Sequence, residues 1–342
     1  MDLISENWEY GTPLPDAEAE LAKMRRNLRR RNWKLVFTSV VLVIAILISG
    51  VQFAVPAIEK QYWDPTVCSY LETVPDQELN MLVYTELFGQ GQILMPPEIR
   101  KTGFASYDVE ACFLEWESQH ALTSLSYRSA AIEKGVWKED VNFWNELQRG
   151  IIYRYPDLAG SDLIMEKQAK NQALLQELPD YVQIRASLTF SRDLSMKGFD
   201  RFTDQYSGSE ANFIWAVLRS GDVGRSCGIH LTEYNSQRYQ PSFWDTTDYP
   251  DLFPERYNWS AADMEQHVLS LLRFASDQVQ QGTGIIPDWA DADIYNTYLA
   301  YMEQNGVKVY GCYVITSPKV LLEMLESGEV SYIDLSEAWI GV

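Results

Sequence analysis

Residues 35–55 read LVFTSVVLVIAILISGVQFAV and contain no charged side chain. As a helix, this run covers about 31 Å, which matches the hydrocarbon core of a bilayer. Thr38, Ser39 and Ser49 are expected to return hydroxyl hydrogen bonds to the helix backbone, and Pro56 is expected to end the helix. The run therefore predicts a membrane-spanning helix over residues 35–55.

This run has two other interpretations, a cleaved signal peptide and a buried helix of a soluble protein. A cleaved signal peptide usually has a shorter apolar region, and the polar segment before this run begins with an acidic third. A buried helix of a soluble protein has a similar composition, and periodicity alone does not separate the two. We favour an uncleaved single span.

Basic residues on one side of the run predict its orientation. Between residues 23 and 34 every charged side chain is basic: Lys23, Arg25, Arg26, Arg29, Arg30, Arg31 and Lys34. Such flanks stay on the cytoplasmic side of the cell membrane, so the chain from residue 56 onward is predicted to be extracytoplasmic. The same basic face makes anionic membrane lipid an expected partner.

Composition restricts the class of protein further. Hydrophobic residues make up 46% of the 342 residues, and this favours folded structure over disorder. The net charge of −20 argues against direct nucleic-acid binding, which needs clustered Lys and Arg. We predict a cytoplasmic segment (1–34), a transmembrane helix (35–55), an N-terminal ectodomain part (56–160) and a C-terminal ectodomain module (161–342).

The hydrophobic pattern of the ectodomain predicts an α+β fold. In the N-terminal part it indicates a buried helix or strand at 79–88, a strand at 107–113 and a helix around 141–151. In the C-terminal module the predicted elements are a helix at 161–178, strands at 181–190, 212–219 and 228–232, a helix at 196–206, two helices after Ser260, a strand at 307–315, a helix at 320–325 and a strand at 330–335. Residues 307–315 are apolar on both faces, as in a central strand. A ferredoxin-like arrangement is the first expectation for this module.

Local signals also predict how several helices begin and end. Ser260 is expected to cap the helix that follows it, with Asp263 at the box position. Ser161 and Ser317 are expected to cap two other helices. Asn305-Gly306 is expected to end a helix in the left-handed conformation.

Candidate chemistry is sparse. No G-x-S-x-G, H-E-x-x-H or phosphate-loop spacing occurs in the sequence. The loop at 245–251 (DTTDYPD) lacks the glycine and the distal glutamate of a calcium loop. Asp291 and Asp293 are explained by a first helical turn, and the three histidines are isolated. We predict no catalytic, cofactor or metal site, and a protein that is not an enzyme.

The cysteines are widely spaced: Cys68, Cys112, Cys227 and Cys312. No C-x-x-C pair is present, so a structural zinc site is disfavoured. Four cysteines allow three pairings. One disulfide and buried thiols are both left open.

Several short motifs carry a family resemblance. Residues 298–316 read YLAYMEQNGVKVYGCYVIT, and Leu-Leu-Glu at 321–323 and Ile-Asp-Leu at 333–335 follow. Leu-Pro-Asp at 178–180 and Ile-Trp-Ala at 214–216 precede them. Tyr-Trp-Asp-Pro at 62–65, Tyr-Thr-Glu-Leu at 84–87 and Tyr-Asp at 107–108 lie in the first half of the chain. Over about residues 30–340 the chain resembles the sigma factor regulator family, with its N-terminal and C-terminal modules. These are membrane proteins of low-GC Gram-positive bacteria.

The resemblance implies an anti-sigma-factor-like role in signal transduction and transcription regulation. The expected partner is an extracytoplasmic-function-type sigma factor, with an envelope protein or ligand as the signal. The 34-residue inner segment departs from the pattern, because it is shorter than a folded anti-sigma domain. Either residues 2–28 bind the sigma factor as an induced helix, with Leu21, Met24 and Leu28 as the contact stripe, or another protein supplies the contact. The alternative is a juxtamembrane helix that lies on the bilayer.

Two other functional classes are left open. The ectodomain of a membrane-anchored protein could bind a ligand or protein without any sigma partner. A membrane-anchored enzyme with an unrecognised site is the third class.

Overall fold

A computed structural model describes residues 15–71, 74–116, 122–139, 143, 162–207, 211–221, 226–231, 248–253, 259–280 and 292–340. The chain divides into two compact units, Met1–Tyr62 and Trp63–Val342. Each unit is described by itself. The predicted boundary near residue 160 lies outside the described residues, as do the predicted helix around 141–151 and the cap at Ser161.

The first unit is helical throughout its described length up to Glu59. Helix α1 (Pro15–Ser49) continues into a π-helical turn (Gly50–Ala54) and then into α2 (Val55–Glu59). Thr38 Oγ1 donates to the carbonyl of Lys34 at 2.7 Å, and Ser39 Oγ donates to the carbonyl of Leu35 at 2.8 Å. Two of the three predicted hydroxyl bonds, those of Thr38 and Ser39, are therefore confirmed.

The expectation that Pro56 ends this helix is wrong. The helix continues past Pro56 to Glu59. Proline lacks an N–H and its ring crowds the carbonyl four residues earlier. The π-helical turn directly before Val55 changes the hydrogen-bond register at this point, which is how such a helix absorbs a proline without stopping.

The second unit begins with an antiparallel sheet and one buried helix, α3 (Asp76–Phe88). Its strands are β1 (Ile93–Leu94), β2 (Glu98–Gly103), β3 (Ser106–Trp116), β4 (Leu122–Glu133) and β5 (Val136–Glu139). The order is β1-β3-β4-β5, and β2 also pairs with β3. The predicted strand at 107–113 is confirmed within β3, whereas the other four strands were not predicted. In β4 neither the odd nor the even positions are consistently apolar, so alternation gave no signal.

Helix α3 resolves the ambiguity at 79–88 in favour of a helix. Nearly all of its side chains are buried, polar ones included. It contacts β1 as well as strand β8 (Cys227–His230) and helix α6 (Ala261–Gln280) of the C-terminal half. A helix buried on all sides carries no amphipathic stripe, which explains why periodicity could not identify it.

The C-terminal half adds the second sheet and its helices. In addition to β8 and α6, the elements are α4 (Asp162–Glu177), β6 (Val182–Ser195), α5 (Met196–Ser207), β7 (Asn212–Leu218), α7 (Ala292–Asn305), β9 (Lys308–Thr316), α8 (Pro318–Glu326) and β10 (Val330–Ile340). The sheet is antiparallel in the order β10-β6-β9-β7-β8. The mixed α+β class is therefore confirmed, and β9 is the central strand predicted at 307–315.

The connections of this sheet interleave. The unit β6-α5-β7 has β9 between its two strands, and the unit β9-α8-β10 has β6 between its strands. Strand β8 with helices α6 and α7 is inserted between β7 and β9 in the chain. This insertion places an extra strand at the edge beyond β7.

Both faces of the second sheet are covered. Phe190 of β6 packs edge to face on Phe199 and Phe202 of α5. On the other face, Trp215 of β7 and Tyr313 of β9 form a smaller cluster with Ile315, against which Trp116 and Trp339 pack. The second face leaves room for a pocket, described below.

Predicted helix ends have mixed outcomes. Ser260 and Asp263 form a reciprocal box: the Asp263 N–H donates to Ser260 Oγ at 3.3 Å, and the Ser260 N–H donates to Asp263 Oδ2 at 2.9 Å. Gly306 has φ of 76°, so the predicted left-handed end of α7 is confirmed. Ser317 occupies the N-cap of α8, but its side chain makes no capping bond. The Ser317 prediction is therefore correct in position and wrong in mechanism.

Candidate ligand-binding pocket

A pocket of about 330 Å³ opens on the second face of the C-terminal sheet, where the end of β3 meets β6, β9 and β10. Its lining consists of residues 89–92, Glu115, Trp116, Arg185, Ser187, Tyr313 and residues 334–337. The volume lies near the lower end of the range for small-molecule sites, about 300–1,000 Å³.

Arg185 holds one wall of the pocket together. Its side chain is only 12% exposed and forms a 2.7 Å ion pair with Glu337 of β10. The other terminal nitrogen, Nη2, donates to the carbonyl of Trp116 at the end of β3. The guanidinium also lies over the ring of Trp339, 5.6 Å from its centroid. Arg185 thus joins the first sheet to the second, with its charge neutralised by Glu337.

A buried polar chain forms the opposite wall. Gln92 Nε2 donates to Glu115 Oε1 at 2.5 Å, and Arg128 Nη2 donates to Gln92 Oε1 at 3.4 Å. Arg128 also donates to the carbonyl of Phe143 at 2.7 Å, and its guanidinium lies 4.4 Å from the centre of the Phe113 ring. Because Gln92 lies between them, it connects the buried Glu115 carboxylate to a buried cation.

The third carboxylate of the lining is Asp334. It accepts a 2.6 Å hydrogen bond from Lys167 of α4, and this bond raises the pKa of the lysine. The Ser336 hydroxyl donates to the carbonyl of Arg185 at 2.8 Å. Each carboxylate of the lining is therefore in a hydrogen-bonded group with a basic side chain.

The turn that closes the pocket is tightly fitted. Gln90 and Gly91 have φ of 48° and 94°, so the chain reverses through two left-handed residues after α3. A Cβ added at Gly91 would lie 3.0 Å from Ile214 and 3.1 Å from the Tyr313 ring. Glycine is required here for its backbone conformation and for the close approach to the sheet.

Three buried polar atoms around the pocket have no hydrogen-bond partner among the residues that the structure describes. They are Gln90 Oε1, Trp116 Nε1 and Arg185 Nε. Unpaired buried donors and acceptors cost free energy and are uncommon in folded proteins. All three belong to residues that line the pocket.

A second polar cluster anchors α3, the helix that leads into this turn. Glu86 Oε1 lies 3.1 Å from His267 Nε2 and accepts the N–H of His230 at 3.1 Å. His267 Nδ1 donates to the carbonyl of Asp251 at 2.7 Å, and Trp215 Nε1 donates to the carbonyl of Glu86 at 2.9 Å. His267 is thus a buried, hydrogen-bonded core histidine. His120 lies outside the described residues.

The residues predicted to bind a partner lie elsewhere. Leu21, Met24 and Leu28 are 54%, 64% and 57% exposed on α1 of the first unit. The seven basic residues from Lys23 to Lys34 are exposed on the same helix. The pocket belongs to the second unit, and none of its lining residues was predicted.

One signal for the pocket was present in the sequence. The apolar residues of β6 alternate along one face of the strand and predicted it. The other face carries Gln183, Arg185, Ser187 and Thr189. Ser187 and Thr189 are buried, with exposures of 3% and 1%. When the polar face of a strand contains an arginine and is still buried by other elements, this indicates a polar site. The burial of that face depends on the tertiary fold, so it could not be predicted from the sequence.

The remaining candidate chemistry is that of metal-binding side chains and of thiols. Within the described ranges, no group of three or more His, Cys, Asp and Glu side chains could hold a metal ion. Asp293 lies in the first turn of α7, while Asp291 and residues 245–247 lie outside the described part of the chain. The four cysteines are free thiols, and burial raises the pKa of Cys227 and Cys312. The sequence left one disulfide and buried thiols open, and the structure has free thiols at all four cysteines, two of them buried.

Comparisons with models of protein families, with curated proteins and with solved structures find no match.

Proposed function

We propose that this protein is a single-pass membrane regulator whose extracytoplasmic unit reads a signal and whose cytoplasmic helix acts on an alternative sigma factor. The helix of the first unit is the observation that supports a single-pass membrane protein. It is long and apolar enough to cross a membrane. Its most apolar 18-residue stretch has a mean hydropathy of 2.5, and no part of that stretch is buried. An exposed helix of this kind is costly in water and stable in a bilayer.

The orientation follows from charge. All seven basic residues from Lys23 to Lys34 precede the apolar run, so the N-terminus is placed inside and the second unit outside. The helix begins well before the apolar run. The helix is continuous from the inner segment to the outer end of the span. It therefore links the cytoplasmic side of the membrane directly to the extracytoplasmic side.

The proposed architecture of the C-terminal module is ferredoxin-like with an insertion. Strands β10, β6, β9 and β7 lie side by side in the order that two interleaved β-α-β units produce. Strand β8 with α6 and α7 is then the insertion.

The sigma factor enters through the resemblance of the motifs and through the exposed stripe on α1. Leu21, Met24 and Leu28 lie on one side of a helix and are more than half exposed. Apolar residues at such spacing are suited to a hydrophobic groove on a partner. Catalysis is not part of the proposal.

A triple change tests the sigma contact. Leu21, Met24 and Leu28 are replaced by Ser in the full chain, and transcripts are measured against the wild type in the native host. A change in one defined gene set, with unchanged membrane level of the protein, supports the proposal. The matched control replaces Ala19, Glu20 and Ala22 by Ser on the same helix, and it should leave transcription unchanged. Unchanged transcripts in the triple variant remove the proposed contact.

A second candidate function is favoured by the pocket. A membrane-anchored module that binds a ligand outside the cell, without a sigma partner, needs only the span and the second unit. Deletion of residues 1–22 distinguishes the two functions, since only the first predicts altered transcription.

A further inference from the structure

We infer that the pocket binds an uncharged, hydroxyl-rich small molecule, namely one saccharide unit. The inference deepens the proposed function and rests on it for the placement of the pocket outside the cell. Its physical basis is the combination of charge balance, planar polar groups and aromatic rings in one small opening.

The first step is the charge. Two of the three carboxylates of the lining form ion pairs, Asp334 with Lys167 and Glu337 with Arg185, and the third, Glu115, is connected to Arg128 through the neutral amide of Gln92. A cationic ligand would have to compete with Arg185 or Lys167 for its carboxylate, and an anionic ligand would have to compete for the cation. Breaking a partly buried pair is costly because it leaves one charge without compensation. An uncharged ligand disturbs none of the pairs.

The second step is the geometry of the polar groups. Carboxylate, amide and guanidinium groups each present two hydrogen-bonding atoms in one plane. Such groups fit pairs of neighbouring hydroxyls, which both donate and accept. Glu337 is 59% exposed and keeps acceptor capacity beyond its bond to Arg185. Gln90 and Trp116 also line the pocket, and each has a buried polar atom without a partner among the described residues, the acceptor Gln90 Oε1 and the donor Trp116 Nε1.

The third step is the apolar surface and the size. Trp116 and Tyr313 line the pocket, and aromatic side chains offer large rigid surfaces on which the C–H side of a sugar ring can pack. A volume of about 330 Å³ suits one or two rings and excludes a long polymer from the interior.

The test uses the full chain in nanodiscs of uncharged phosphatidylcholine, with binding followed by saturation-transfer NMR of the sugar. Four uncharged sugars are titrated: glucose, galactose, mannose and N-acetylglucosamine. Glucosamine and glucuronate serve as the cationic and anionic counterparts. At least one uncharged sugar should saturate with a Kd of about 1 mM, corresponding to roughly −4 kcal/mol. Both charged sugars should bind at least about tenfold more weakly.

A charge change in the wall makes the test specific to this pocket. Glu337→Gln leaves Arg185 without its carboxylate, so glucuronate should gain about tenfold in affinity relative to the uncharged sugar. The matched control is Glu303→Gln, which breaks the exposed 2.7 Å ion pair with Arg273 outside the pocket. The control should leave all affinities unchanged.

Three results would overturn the inference: saturation by none of the uncharged sugars, a preference of the wild type for a charged sugar, or equal effects of the two glutamate changes. The outcome is separable from that of the proposed function. A chain that binds sugar but alters no transcripts retains the ligand class and loses the sigma partner.

Discussion

Ser260 shows how much of a residue-scale structure can be read from local chemistry. Its hydroxyl and N–H both bond to Asp263, as predicted from spacing alone. Capping boxes are local, so no tertiary knowledge is needed to place them. The pocket residues are different. Arg185, Gln92 and Glu115 are far apart in sequence, and only the sheet pairing and the turn after α3 bring them together.

Replacing Ser260 by Ala should lower the free energy of unfolding by about 1 kcal/mol at neutral pH. The hydrogen bonds from Ser260 lower the pKa of Asp263. A lowered folded-state pKa means that the contribution is complete above the unfolded value of about 3.9 and is lost as the pH falls through the lower folded value. The Ser260 hydroxyl bond to Asp263 Oδ2 depends on the ionised carboxylate, whereas the bond from the Asp263 N–H to Ser260 Oγ does not. Urea unfolding of the wild type and the variant should therefore differ at pH 7 and differ less in acid. Ser207→Ala, at an exposed hydroxyl, is the control; a difference of the same size at both pH values would contradict the assignment.

Gly228 should tolerate no side chain. A Cβ there would lie 2.2 Å from the carbonyl oxygen of Ala216 and 2.4 Å from the Trp215 ring. Gly228→Ala is expected to cost about 2–4 kcal/mol by overpacking and to make the second unit sensitive to protease. Gly103→Ala, where the nearest atom would be 3.7 Å away, should leave protease resistance unchanged. Equal resistance of the two variants would show that β7 and β8 are not paired as described.

At the scale of elements, the success of sequence-based prediction followed the strength of the pattern. Strands β6, β7 and β9 carry apolar residues on a regular face or on both faces. The predicted bounds of β7 and β9 are within one residue of those observed, whereas β6 continues five residues past its predicted end at residue 190. Of the first sheet, only β3 was predicted; β4 has no consistent apolar alternation and β1 has only two residues. The prediction for Pro56 was wrong because proline usually ends a helix. Here the π-helical turn just before it allows the helix to continue. Elements whose own residues alternate regularly could be predicted from the sequence. Elements whose burial depends on packing against a neighbouring element could not.

The central position of β9 leads to a prediction about Val309. This side chain is fully buried between β6 and β7. Val309→Asp places an unpaired carboxylate in the core, and the expected cost is several kcal/mol, about enough to unfold the second unit. Tyr181→Asp introduces the same group at a side chain that is 63% exposed and should be tolerated. Limited proteolysis compares them; a folded Val309→Asp unit would rule out this strand order.

The apolar helix leads to a prediction about Val43. Arg at Val43, near the middle of the run, should cost about 2.5–3.5 kcal/mol on insertion and reduce the amount of protein in the membrane fraction. Met24→Arg, outside the run, should not. Alkaline extraction of membranes gives the measurement. Equal membrane retention of the two variants would favour a helix that is buried in protein.

At the scale of the whole molecule, the two predicted ectodomain parts share one hydrophobic core. Leu87 and Phe113 from the first part belong to the same cluster as Leu188 and Val309 from the second. Arg185 and Glu86 add polar connections across the same join. A ligand in the pocket would therefore contact both halves of the unit, because the lining includes Glu115 from the first part and Arg185 from the second.

The central claim is that the second unit lies outside the cell and the first residues lie inside. Cys68 is an exposed thiol just after the proposed span, whereas Cys227 and Cys312 are buried and Cys112 is half-buried. Partial burial and the carboxylates of Asp76 and Glu78 raise the pKa of Cys68, so labelling is done at mildly alkaline pH, where more thiolate is present.

The decisive measurement is labelling of protoplasts with a membrane-impermeant maleimide. The wild type should be labelled, and Cys68→Ser should lose that label. A chain with Cys68→Ser and Glu20→Cys should be labelled only after the membrane is permeabilised. Labelling of the residue 20 thiol in intact protoplasts, with protection of Cys68, would contradict the account.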